Sequence, residues 1–325
     1  MNTSEAEKEW LRRICGGQPA AEHNTAPARE DEHKPVEKKT NQGRGFGDIA
    51  GMSELKKFVT EGFINVLKNR KCAEVYGIRP PSMLFYGPAG CGKTFFAEKM
   101  AEEVGINFIK IVPDDLACTW VHGTQQKIGE VFRDAEKKAP TLLFFDEFDA
   151  MVPMRSGNDA NQHYDSEVNE FLCMLNNASE RGIYVLAATN HPERIDKAVL
   201  RTGRIDELVY IDMPDKEARK SLFTLALSKL PSDKNIDTGL LAELTEGYNC
   251  SDISYIVMSA ARKMFNATIR NGQGDFQYIS QKLLEETIAG KSPSVSSKDL
   301  REYERMRSEF SPKDKGCRHT SIGFR

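Results

Sequence analysis

No C-x-x-C pair occurs among the seven cysteines, which are Cys15, Cys72, Cys91, Cys118, Cys173, Cys250 and Cys317. An odd, scattered set excludes a disulfide framework or a structural zinc site and fits thiols kept reduced in the cytoplasm. The absence of H-E-x-x-H excludes a built-in zinc peptidase. Long apolar runs are missing too: LLFF at 142–145 falls far short of the ~20 residues that span a bilayer. The opening MNTSEAEKEWLRRICGG has no apolar core of signal-peptide length. Nor is there an excess of positive charge. Lysine and arginine number 45 against 48 acidic residues, a net −3, which argues against nucleic acid or anionic lipid as the main partner. What remains is a chain of 325 residues, 39% hydrophobic, long enough for one domain and a smaller attached one.

Residues 1–44 are poor in large apolar side chains and read as a disordered tail or linker, and 311–325 reads as a flexible tail. Between them, short apolar strands alternate with helical patterns. Strands are expected at 82–86, 107–112, 141–146, 183–189 and 208–211, each apolar enough to lie buried between helix layers. After Pro214 the strands stop, and amphipathic helices are expected near 215–230, 237–246, 251–270 and 280–289. This pattern predicts an α/β domain over 45–213, a doubly wound, parallel, five-stranded sheet. An all-helical domain with a C-terminal helix is expected over 214–310.

The sequence GPAGCGKT, Gly87 to Thr94, follows an expected strand and opens a helix. Phosphate oxygens need converging backbone N–H donors at a helix N-terminus, and Gly87, Gly90 and Gly92 permit that backbone path. Pro88, Ala89, Gly90, Cys91 and Gly92, with Lys93, Thr94 and Phe95 at the helix start, would enclose the phosphates of ATP. Lys93 suits the β and γ phosphates and Thr94 suits Mg²⁺. In LLFFDEFD an apolar strand ends in Asp146, 52 residues after Thr94, which can hold Mg²⁺ through water. Glu147 follows, where a carboxylate can polarise the attacking water. The strand IYVLAATN delivers Asn190 at its carboxyl end, and VLRTGRID places Arg201 and Arg204 in a turn, where guanidinium suits a γ phosphate.

With GFGDIAGM at 45–52, these motifs in this order resemble an ATPase of the AAA family within the AAA+ superfamily, over roughly residues 45–310. The resemblance implies a nucleotide-binding P-loop α/β domain over 45–213, a small helical lid and a homo-hexameric ring in which Arg201 and Arg204 act in trans on a neighbour's ATP. It also implies Asp48, Ile49 and Ala50 against the adenine, Glu147 as the catalytic base and Asn190 positioning the water. The family's pore loop, which grips a protein substrate, is matched by Trp120 and Val121 of TWVHG, although His122 stands where a glycine is expected. The lid motif reads NCSD at 249–252, with Cys250 in a glycine's place. EVNEFLCML at 167–175 is similar to FtsH-type proteases, whose protease domain has no counterpart here. Residues 291–310 resemble the C-terminal helix of the katanin and spastin group. The implied function is an ATP-driven motor that threads and remodels proteins, with an adaptor or separate peptidase as further partners. An ATP-gated scaffold is the alternative, and a nucleic-acid remodeller a weaker one.

Overall fold

The computed structural model describes residues 36–38, 43–116, 123–154, 162–201, 203–270, 277–310 and 320–322. All lie in the second of two units, Lys34–Arg325. One sheet is built from β1 (Val36–Lys38), β2 (Met83–Tyr86), β3 (Asn107–Ile111), β4 (Thr141–Phe145), β5 (Ile183–Thr189), β6 (Glu207–Ile211) and β7 (Thr320–Ile322), in the order β1-β3-β4-β5-β2-β6-β7. The inner five are the strands expected from the sequence, and each pairs with its neighbour in parallel. Their ends differ slightly: Ser82, Val112 and Asp146 fall outside the strands, and β6 begins one residue early, at Glu207. Two strands lie in segments expected to be tails. β1 runs antiparallel to β3 and β7 parallel to β6.

Because β2, β4 and β5 are buried along their whole length, successive residues feed two separate apolar layers. Leu142 and Phe144 of β4 join Phe63, Phe85 and Phe96 on one face, under α1 (Ser53–Val59) and α2 (Lys93–Val104). Leu143 and Phe145 join Phe132, Phe148 and Phe171 on the other, under α3 (Gly123–Lys137) and α4 (Gln162–Leu175). Phe145 lies at the centre of the second layer, with ring centroids 4.8 Å from Phe171 and 6.0 Å from both Phe132 and Phe148.

Beyond β6 come α5 (Lys216–Leu227), α6 (Thr238–Leu244), α7 (Cys250–Arg270), α8 (Gln281–Ala289) and α9 (Ser297–Phe310). Asp215, Asp237 and Ser280 cap α5, α6 and α8, each accepting a backbone N–H of the first turn. Phe223, Leu241, Ile253, Ile256 and Leu284 form a third core among α5–α8. The C-terminal helix α9 packs elsewhere. Tyr303 and Phe310 rest against the α/β core, and Phe310 meets the Tyr86 ring edge-on at 5.7 Å.

Phe145→Ala removes the ring that joins β4 to α3 and α4, and should destabilise the protein by about 3–5 kcal/mol in denaturant unfolding. A loss below about 1 kcal/mol would contradict this packing.

Candidate active site

The chain leaves β2 at Gly87, whose φ is 141° and where a Cβ would stand 2.2 Å from the Ile211 carbonyl oxygen. Any side chain there collides with β6. Gly90 and Gly92 also have positive φ, 76° and 89°, and Gly92 opens α2 with no side chain capping it. The result is a tight loop that ends at a helix N-terminus, an arrangement that favours anionic oxygen. Lys93 is buried and its Nζ donates to the carbonyls of Gly87 and Pro88, both at 2.8 Å. Burial pushes its ammonium down to about 8, so a bound phosphate would restore the charge that desolvation disfavours.

Strand order brings the other groups alongside. Tyr86 pairs with Thr189 across β2 and β5, which sets Asn190 beside Gly87. One strand further, β4 delivers Asp146. Its Oδ2 accepts from Thr94 Oγ1 at 3.0 Å and from Lys110 Nζ at 2.7 Å, and its Oδ1 accepts from the Glu147 N–H at 3.2 Å. Glu147 has a left-handed backbone, φ 52°, and its side chain is exposed at the end of the sheet. Thr189 Oγ1 donates to Asp149 and accepts from the His191 N–H, tying the loop after β4 to the loop after β5. A hydroxyl and a carboxylate converging in this way supply the oxygen donors that a hard divalent cation takes.

The segment expected to face adenine sits against the same loop. An added Cβ on Gly92 would lie 3.8 Å from Met52 Cε. Ile49 is buried, its carbonyl accepting from Lys56 Nζ at 2.7 Å, and Ala50 is half-buried. Asp48 is engaged by Lys99 at 3.0 Å, and that hydrogen bond holds its carboxyl below the usual range. Phe95 is half-exposed beneath the same lysine. Cys91 is buried 3.6 Å from the Met213 sulfur, and burial pushes its thiol up to about 12.

Several contributors lie outside the candidate site residues read from the sequence. Asn249 Nδ2 donates to the Ala89 carbonyl at 3.1 Å and the Ser251 N–H to the Gly90 carbonyl at 3.1 Å, so the start of α7 is docked on the phosphate loop. Asp252 supports this end, bound to Lys291 at 2.8 Å and to Ser294. Tyr303 donates to the Asn190 carbonyl at 2.9 Å. The motif NCSD was the available signal for Asn249 and Asp252; Lys110 and Tyr303 had none. Arg201 and Arg204 line a separate pocket with Asn169, Leu172 and Asp196, and Arg204 Nη1 donates to the Ala198 carbonyl at 2.7 Å. Trp120, Val121 and His122 lie outside the described residues.

Residues 83–213, from β2 through the end of β6, match the family model described as "ATPase family associated with various cellular activities (AAA)". Over this segment the chain is similar to the AAA ATPase domain. The chain is also 33% identical over 273 residues to the Cell division cycle protein 48 homolog of Archaeoglobus fulgidus, covering 81% of this chain and 37% of that protein. A Putative cell division cycle ATPase of Plasmodium falciparum is 33% identical over 226 residues, 69% of this chain and 18% of that protein. The chain thus spans well under half the length of these relatives.

At Gly90 an added Cβ would stand 2.6 Å from Asn249 Nδ2. Gly90→Ala should weaken ADP binding at least about tenfold, and Asn249→Ala in the same chain should restore part of the loss, since only the backbone strain then remains. Strictly additive losses in a calorimetric titration of the three variants would contradict this docking.

Proposed function

We propose that this ATPase domain drives remodelling of protein substrates as a homo-hexameric ring. The observation that carries the reading is the Thr94–Asp146 hydrogen bond, which joins the phosphate loop to the carboxylate strand within an AAA domain. In this reading Pro88 to Phe95 enclose the phosphates, with Lys93 at the β and γ groups, and Asp48, Ile49 and Ala50 border the adenine. Thr94 and Asp146 hold Mg²⁺, which when bound neutralises charge on the β and γ phosphates. Glu147 takes the proton of the attacking water, and Asn190, fixed at the end of β5, orients that water. The exposure of Glu147 supports this role, because among the described residues its carboxylate is open to solvent while Asp146 is engaged by Thr94 and Lys110.

Arg201 and Arg204 complete a neighbour's site in trans. Arg201 is exposed, and their pocket is lined by α4 and the turn before β6, not by the phosphate loop. Trp120 and Val121 line the pore and grip an extended polypeptide, while an adaptor or separate peptidase selects substrates. The relatives' printed names, a Cdc48 homolog and a cell division cycle ATPase, fit this class of work. The path of α9, packed on the α/β domain, supports kinship with the katanin and spastin group. Among the described residues no helix is long and apolar enough to cross a membrane, and Cys72, Cys91, Cys173 and Cys250 are free thiols, which supports a cytoplasmic setting.

Trp120→Ala should keep most of the basal ATP hydrolysis yet abolish ATP-dependent unfolding of a tagged protein. Arg204→Ala should bind ATP and lose hydrolysis by about 10³-fold or more. Unfolding at the wild-type rate by the tryptophan variant would favour the ATP-gated scaffold.

A further inference from the structure

Lys110 belongs to none of the family motifs, yet it occupies the same carboxylate oxygen as Thr94. It lies on β3, where Phe108 faces the α2 layer while Ile109 and Ile111 face the opposite one. The two-residue repeat of a strand therefore sends Lys110 to the α2 side, the side that carries Thr94. Register Ile111↔Phe145 brings the end of β3 beside the end of β4, and Lys110 Nζ reaches Asp146 Oδ2 at 2.7 Å. Both side chains are mostly buried, at 30% and 21% exposure, so water screens the pair less than at an open surface. With Thr94 at 3.0 Å and the Glu147 N–H at 3.2 Å, both oxygens of the Asp146 carboxylate are engaged by internal donors.

We propose that Lys110 is an internal counter-cation that competes with Mg²⁺ for Asp146 and so raises the Mg²⁺ concentration at which the site engages a nucleotide. An ammonium and a divalent cation cannot both claim one carboxylate oxygen at contact distance without mutual repulsion. Engagement of the metal would then require the Lys110 ammonium to withdraw from Asp146 Oδ2. The inference rests on Asp146 being the carboxylate that faces the metal.

The test uses the full chain and a fluorescent, non-hydrolysable ATP analogue, with the dissociation constant measured over buffered free Mg²⁺ from micromolar to millimolar. Lys110→Met and Lys110→Gln should both shift the half-effect to Mg²⁺ concentrations roughly three- to tenfold lower, the scale of one partly screened charge pair. Lys110→Arg keeps the charge and should stay near wild type. Neutral variants whose midpoint is unchanged or higher would overturn the proposal, as would an arginine variant that behaves like them. Asp146→Asn separates the two assignments. If it retains the wild-type midpoint, the assignment of Asp146 to the metal fails. If it loses Mg²⁺ dependence while the neutral Lys110 variants do not move, Lys110 alone is misassigned.

Discussion

The carboxylate of Asp146 is the point through which the parts of this site are held in register. Three donors meet on it from the first turn of α2, from β3 and from its own neighbour Glu147. A carboxylate in partly dry surroundings is costly without partners, so its retention at the end of five consecutive buried residues commits β4 to this register. A slip of one residue would exchange the Phe144 and Phe145 faces and carry the carboxylate away from Thr94. The apolar core and the site are thus specified by the same strand, the first through its alternating side chains and the second through the acidic residue at its carboxyl end.

Two further elements converge on the loop from the C-terminal half. The start of α7 binds the carbonyls of Ala89 and Gly90 through Asn249 and Ser251, and α9 holds the carbonyl of Asn190 through Tyr303. Each hydrogen bond contributes only about 1 kcal/mol. Together they connect the loop that would hold phosphate, and the strand end that would orient water, to α7 and α9. The ion pair of Asp252 with Lys291 fixes the α7 end of this linkage, and that of Arg307 with Asp212 at 3.4 Å helps fix α9.

Much of this was legible in the sequence for identifiable reasons. Runs such as TLLFF and IYVLAAT are too uniformly apolar for anything but strands covered on both faces, and the glycines of GPAGCGKT mark backbone that no side chain would tolerate. The parallel pairing of the five inner strands was legible in their alternation with helical patterns, since parallel neighbours need a crossover between them. β1 and β7 escaped because three residues at a sheet edge carry almost no pattern. Lys110 escaped because a lysine in an alternating strand reads as a solvated position, and its partner lies just past the end of the neighbouring strand, 36 residues along the chain. The stripe of Tyr303, Met306 and Phe310 shows that α9 is amphipathic, but not whether it faces the helical core or the sheet.

ATP hydrolysis at sites completed by neighbouring copies of the chain is the central claim. The most direct test is the specific ATPase rate across a dilution series, with particle size recorded in ATP and in ADP and Glu147→Gln as the arrested control. Hydrolysis that rises with ring formation, together with a Glu147→Gln protein that assembles in ATP without turnover, is the predicted result. A constant specific rate from monomers would contradict it.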